Sequence, residues 1–343
     1  MDDSERKIFW DTLIALKGKD IVAEAEKLKP TIRYPKHLYR YRHISISTLD
    51  ALQDNKLYFL PASCYDDPFD TFLHIDWFKV KESIVSRDIK SDVEQKVIPY
   101  LQYIGFNGGV PLDTDTVMKQ LNVKNILETT VKFLNETIRP EIQNNSFAIC
   151  FGESGKNENL WLKYADHHKG FCLVYDLENK ENFRCGKAEK CKTCIIQNEH
   201  GYALYPVHYS SEKYDATDYA INCAIGKILK DVLKNTGLYE QFNYENSSFW
   251  ERERTSLIKH ECHKYDQEWR YLLGTVPNNK TCFNWIPDVV ILGQRIEDLH
   301  EKMVIRAAKA AGIKKIKRAF INQNDEFDIE DISEEKINKL LKP

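Results

Sequence analysis

Residues 159–176 read NLWLKYADHHKGFCLVYD. An aromatic pair (Trp161, Tyr164), a carboxylate (Asp166), two imidazoles (His167, His168) and an ammonium (Lys169) are gathered there in one turn, which runs straight into an apolar segment. GFCLVYD reads as a strand, and SFAICF at 146–151 reads as another just upstream. Trp161 and Tyr164 are three residues apart, the spacing of one face of a short helix, and this predicts a buried aromatic face between the two strands. On that reading Asp166 caps or turns the chain, and Gly170 supplies the positive φ that lets it enter the second strand. Strand, short helix, turn and strand in close succession point to an α+β fold.

The rest of the chain reads outward from there. Upstream, Ile8, Phe9, Leu13, Leu16, Ile21, Ala25 and Leu28 recur at helical spacing until Pro30, with Gly18 placed to break the run in two. HLYRYRHI (37–44) is strand-like. STLDALQDNKLYFL then suggests a short helix capped by Ser47, a turn at Asp54-Asn55 and a strand ending at Pro61. Residues 79–143 are mainly helical in period, interrupted at GFNGGVPLDTD, and 216–234 and 247–262 read as further helices. EWRYLLGTV, PDVVILG and KIKRAFIN read as strands, with the helix EDLHEKMVIRAAKAAG before the last. The expected organisation is a helical N-terminal extension (1–36) and one α+β domain (37–332), closed by a C-terminal helix or tail (333–343). The domain has a central mixed or antiparallel sheet of short strands, a helical insertion at about 79–145 and a cysteine-rich loop at about 183–208.

Bulk composition excludes several classes. The chain has 343 residues, of which 42% are hydrophobic and 12% aromatic, enough for a substantial core and unlike a disordered segment. A net charge of -3 predicts no global attraction to nucleic acid or membrane. No apolar run approaches the roughly 20 residues of a membrane helix, and MDDSERKIFW lacks the apolar core of a signal peptide. The expected protein is cytoplasmic. Its nine cysteines are mostly scattered singly on apolar segments, as small buried hydrophobes are.

Five clusters carry possible chemistry. In YDDPFD, Asp66, Asp67 and Asp70 surround Pro68 and could hold a hard cation or simply bond backbone amides in a turn. In LYRYRHI, Tyr39 and Tyr41 lie on one face of a strand and Arg40 and Arg42 on the other. Two such forks suit a diphosphate, or else ordinary ion pairs. In Tyr265–Leu273, Asp266, Glu268 and Arg270 are read on one face, either as an acid pair for ribose chemistry or as a surface ion pair. Cys191 and Cys194 have the gap that lets two thiolates share zinc, with Cys185 and His200 available to complete a tetrahedron; free thiols in a loop are the alternative. His260, Cys262 and His263 form another soft-ligand group, placed on a helix where they are equally well surface residues. GxxxxGK[ST], GxGxxG, HExxH and GxSxG are absent from the sequence. The basic run Lys314–Arg318 reads as a strand with one solvated face.

Four pieces in order carry a resemblance: LYRYRHI with KLYFLPASCYDDPFD, FAICFGES, WLKYADHHKGFCLVYD, and KYDQEWRYLL with DVVILG. Together, over roughly residues 37–332, they resemble the bacterial family called domain of unknown function twenty-nine seventy-one. Asp66 stands where that family usually has asparagine, and Asp266 where glutamate is common. A second resemblance lies at the level of fold. ADP-ribosyltransferase-like proteins carry Arg or His on an early strand, Tyr or Ser in the middle and acid-x-Glu on a late strand. Arg40 or Arg42, Tyr164 and Asp266-x-Glu268 follow that order here.

The resemblance implies an enzyme using NAD, with a role in bacterial defence as a toxin-like effector. Arg40 or Arg42 would hold the diphosphate, Tyr164 would line the nicotinamide pocket with His167 and His168 as lesser candidates, and Glu268 with Asp266 would support the transition state. The alternatives are a non-catalytic module that binds a nucleotide or a protein, and a metal-dependent nuclease using Asp66, Asp67, Asp70 and His167 or His168.

Overall fold

HLYRYR forms β1 (His37–Arg42), at the middle of a nine-stranded sheet. The computed structural model describes residues 1–17, 20–103, 126–178, 183–185, 204–232, 249–273 and 282–342. The other strands are β2 (Lys56–Tyr58), β3 (Leu60–Pro61), β4 (Phe147–Gly152), β5 (Phe171–Asp176), β6 (Phe183–Cys185) and β7 (Leu204–Pro206). Then come β8 (His208–Ser210), β9 (Ile258–His260), β10 (Glu268–Leu273), β11 (Cys282–Trp285), β12 (Val289–Leu292), β13 (Lys315–Ile321) and β14 (Phe327–Asp331). The large sheet runs β14-β13-β12-β5-β1-β4-β10-β7, with β3 also pairing on β4. Its neighbours are antiparallel except for β12 and β13, which are parallel and joined through the helix Asp298–Ala310. β2, β11 and β6 form a second sheet, and β8 pairs with β9. The fold is α+β, as the alternation around residues 146–176 predicts.

The chain divides into two compact units. The first comprises Met1–Cys64, Phe147–Glu212 and Leu257–Pro343, and includes every strand above; the second comprises Tyr65–Ser146 and Lys213–Ser256. In the second unit the helices Trp77–Val85, Thr217–Val232 and their neighbours pack around Leu73, Val80, Ile84, Leu134, Ile142 and Ala220. No helix among the described residues is long and apolar enough to cross a membrane.

Register sorts the side chains of the large sheet. Directly opposed residues of antiparallel strands share a face. Leu38 faces Tyr175, Arg40 faces Leu173 and Arg42 faces Phe171, and this row continues into Phe151, Trp269 and Val290 of the main core. Tyr39 faces Val174 and Tyr41 faces Cys172; here the helix Glu158–Tyr164 covers the sheet with Leu160 and Trp161. Trp161 is fully buried, edge-on to Tyr41 at 5.2 Å, and its indole N–H donates to the Gly155 carbonyl at 2.9 Å. The predicted aromatic face of the helix is therefore half correct, because Trp161 is core and Tyr164 is not.

Several local readings are corrected. The helix after β1 starts at Ile46 and is capped by Ser45, not Ser47. The Ser45 hydroxyl accepts from Thr48 N while the Thr48 hydroxyl accepts from Ser45 N, and this reciprocal pair fixes the start. Among the described residues the helix expected over 247–262 ends at Ser256, since Ile258–His260 leaves it to pair with β8. β10 begins at Glu268, because Asp266 ends a 3₁₀ turn and Gln267 is left-handed at φ 45°. The basic run in β13 is paired: Arg318 bonds Glu301, and Lys317 bonds Asp331 at 3.4 Å.

Gly170 is also reassigned. It does not supply the left-handed turn; Asp166, His167 and His168 do, at φ 45°, 54° and 67°. L-residues avoid this region by roughly 1–2 kcal/mol each, so the turn must be held from outside. A Cβ on Gly170 would lie 2.1 Å from the Arg42 carbonyl oxygen, and one on Gly293 would lie 2.1 Å from the His168 carbonyl oxygen. Close approach of two backbones holds the turn, with Arg295 N donating to the His168 carbonyl at 2.9 Å.

Candidate functional site

Glu268 opens β10 opposite Gly152, on the face that carries Tyr39 and Tyr41. Lys259 of β9 donates to its Oε2 at 2.7 Å, and Arg270, two residues along the same strand face, donates through Nε to Oε1 at 2.7 Å. All three side chains are at least nine-tenths buried. Burial by itself would push the Glu268 carboxyl up, but the charges and hydrogen bonds of Arg270 and Lys259 outweigh it and hold the group well below the usual carboxylate range. Glu268 is therefore ionised at neutral pH, inside a cluster of one anion and two cations.

The surroundings come from separate elements. Tyr209 of β8 accepts a hydrogen bond from Glu268 N at 2.8 Å. Arg6, on the N-terminal helix Asp3–Ala15, donates to the Glu268 carbonyl at 3.0 Å and the Val207 carbonyl at 2.7 Å, and binds Glu153 at 2.6 Å. Cys150 lies opposite Arg270 across β4 and β10. Burial, reinforced by Glu268, pushes its thiol up to about 12 against the pull of Arg270 and Lys259. It is a thiol at neutral pH and no nucleophile.

Tyr164 ends the helix Glu158–Tyr164 and is 43% exposed. Burial raises its phenol above the ordinary range; the charges it feels are those of Lys259, which opposes the rise, and of Glu268 and Asp266, which add to it. An open ring thus belongs to a phenol in electrostatic contact with the Glu268 cluster. Asp266 is buried, 3.3 Å from Lys163 and 3.8 Å from His263. Asn157 ties these pieces together: its Oδ1 caps the helix at Leu160 N, and its Nδ2 donates to the Tyr265 carbonyl at 2.5 Å.

The sequence-predicted residues are thus divided. Tyr164 feels the charges of Asp266 and Glu268, which lie two residues apart at the start of β10. Arg40 and Arg42 project from the opposite face of the sheet, against Phe151 and Tyr175. His168 stacks on Trp161 at 5.9 Å and meets Phe327 edge-on; burial lowers its imidazole, and the charges it feels are those of Glu158, Arg295 and His167. His167 is exposed in the left-handed turn.

Asp66, Asp67 and Asp70 belong to the second unit, where Asp67 accepts from Phe69 N at 2.8 Å in the turn and Asp70 accepts from the Thr71 hydroxyl at 3.1 Å. Cys185 ends β6, and Cys191, Cys194 and His200 lie outside the described residues. His260 Nδ1 accepts from Cys262 N in the 3₁₀ turn. Among the described residues no group of three or more His, Cys, Asp or Glu is placed to hold a metal. Lys259, the cation nearest Glu268 in function, was missed because LIKH was read as helix. Its signal was the β-branched and apolar run Leu257-Ile258 after Ser256.

A family model described as protein of unknown function (DUF2971) matches residues 160–271. The match begins in the helix that carries Tyr164 and ends in β10, so it spans Tyr164, Lys259, Asp266, Glu268 and Arg270. β1 with Arg40 and Arg42 lies outside it, and the cysteine loop, read as an insertion, falls within it. No curated protein and no solved structure matches the chain.

Proposed function

We propose that the chain is an NAD-consuming, ADP-ribosyltransferase-like enzyme whose reaction centre is the Tyr164–Glu268 corner. What supports it is an exposed aromatic ring whose phenol feels the charge of a buried carboxylate held ionised at neutral pH. Cleaving the bond between nicotinamide and ribose leaves positive charge developing on the sugar. A carboxylate that needs no deprotonation can face that charge at neutral pH. Tyr164 offers a ring face to a planar heterocycle. Lys259 and Arg270 leave the cluster with excess positive charge, suited to a phosphate-bearing substrate. On this reading these two cations take the part that the sequence suggests for Arg40 and Arg42. A toxin-like role in bacterial defence is the matching biological proposal.

Purified protein incubated with NAD is expected to release nicotinamide, and Glu268→Gln to slow that release by about 10²–10³-fold. Tyr164→Ala, at an exposed position, is expected to raise KM. Equal turnover by the wild type and Glu268→Gln overturns the reading.

One observation favours a second reading, a non-catalytic nucleotide-binding module. Both Glu268 oxygens are already engaged by cations, as in a structural ion pair. Binding of NAD or ADP with no turnover, lost in Tyr164→Ala, is the outcome that selects it.

A further inference from the structure

The second compact unit has a cleft of its own, lined from the helix Trp77–Val85 on one side and the helix Ile126–Phe133 on the other. Its volume is about 320 Å³, within the range of pockets that take a small molecule. Trp77, Val80, Leu127 and Val131 supply the apolar wall. Val80 is buried in the core of the unit, whereas Val131 is 40% exposed, so the cleft has an apolar floor and an open rim.

Three polar side chains complete the lining: Lys81, Thr130 and Asn135. Thr130 is 3% exposed, and its hydroxyl makes no hydrogen bond among the described residues. Buried hydroxyls at other helix ends of this chain behave differently. Ser146 and Thr255 each donate to the carbonyl four residues before, at 2.7 Å. A buried hydroxyl left without a partner costs stability unless something in the cleft bonds it. The Asn135 Oδ1 accepts from Arg139 Nη1 at 2.6 Å, which leaves the amide N–H groups for another acceptor. The same guanidinium lies 5.3 Å from the centre of the Trp77 ring and donates to the Leu73 carbonyl at 3.0 Å, so Arg139 holds both walls in place. Lys79 is bonded to Asp215 at 3.1 Å, but Lys81 has no ion pair among the described residues.

The ligand chemistry follows from what is left over. An ammonium, an amide N–H and a hydroxyl are all able to donate, and no carboxylate lines the cleft. The complement is an acceptor with one negative charge, because Lys81 is the single charged side chain of the lining. A phosphate would bring more charge and more oxygens than these groups match. The body of the ligand must be apolar, and the Trp77 ring suits a flat one. We propose that the cleft binds a small aryl carboxylate. Its ring packs on Trp77, Val80 and Leu127, and Lys81, Thr130 and Asn135 fix the carboxylate. The site is separate from the Glu268 corner and independent of what that corner does.

The probe is 2-naphthoate, titrated into the full chain by calorimetry. One molecule is expected to bind per chain with a Kd on the order of 100 µM, a modest value for so small a ligand. The uncharged 2-naphthamide, with the same ring, is expected to bind about 10-fold more weakly. Lys81→Gln, at an exposed position, is expected to weaken 2-naphthoate about 10-fold. Thr130→Val is expected to weaken it about 5-fold while leaving the Tm within about 2 °C, since the hydroxyl has no bond within the protein to lose. Tyr164→Ala is expected to bind as the wild type does, which separates this cleft from the proposed reaction centre. No binding by the wild type overturns the site, as does equal affinity for the acid and the amide. Unchanged affinity in Lys81→Gln overturns it too, and loss of binding in Tyr164→Ala would move the ligand elsewhere and overturn it likewise. Should Thr130→Val fail to fold, Lys81→Gln decides.

Discussion

Lys259 and Glu268 meet at 2.7 Å although nine residues separate them and they arise from different strands. The pair ties β9 to the start of β10 at a depth where less than a tenth of either side chain is exposed. Removing one partner strands the other, which is far more costly than losing an exposed pair. Lys259→Met is therefore expected to destabilise the fold by about 3 kcal/mol, the low end of such losses because Arg270 stays on the carboxylate. Chemical denaturation of the two proteins gives the number, and a loss within 0.5 kcal/mol, roughly what exposed substitutions cost, would show the pair to be idle.

Two buried carboxylates respond to pH with opposite sign. Glu268 is depressed below its ordinary 4.5, so the unfolded chain binds the proton more readily. Its contribution is present above about pH 4.5 and is lost as the pH falls below that. Acid denaturation of Glu268→Gln should accordingly begin from a lower stability and show a shallower decline between pH 5 and pH 2 than the wild type, again as an approximate window.

Glu253, in the helix Phe249–Ser256 of the second unit, behaves the other way. It is 6% exposed, its Oε2 makes no hydrogen bond, and burial pushes it from 4.5 up to about 8. Here the folded state holds the proton more tightly. Stability is fully present below pH 4.5 and drains away as the pH rises through about 8. Thermal melts of Glu253→Gln from pH 5 to pH 8.5 should be flatter than those of the wild type, and parallel curves would reject the assignment.

Glycine substitutions separate crowding from backbone conformation. Gly170→Ala and Gly293→Ala drive a methyl into backbone oxygens at 2.1 Å and are each expected to cost about 3 kcal/mol or more. Gly312 has φ 82° and nothing within 4 Å of its missing Cβ, so Gly312→Ala is expected to cost only about 1 kcal/mol. Denaturant midpoints of the three variants rank the two effects.

Much of the first unit was legible because β4, β5 and β12 are apolar runs with clear ends, while β1, β10 and β13 interleave charged with apolar or aromatic residues. β6 and β11 were hard to see, since three or four residues carry little periodicity and their pairing is with distant segments. Asp266 was misplaced because alternation along Tyr265–Leu273 continues on paper through Gln267, whose left-handed backbone breaks the phase. The placement of Arg40 and Arg42 on the sheet face opposite Glu268 was not legible, because the face on which a side chain emerges depends on strand register, which is a long-range property.

The turn at 166–168 has a stereochemical consequence. Three successive residues take the sign of φ that belongs to the mirror-image amino acids. Swapping the hand of the α-carbon there, by chemical ligation of a segment bearing D-Asp or D-His, would place the unnatural enantiomer where its own preference lies. A protein that gained stability from the inverted centre would be reporting, in the chirality of single atoms, the tension under which WLKYADHHKG is ordinarily kept.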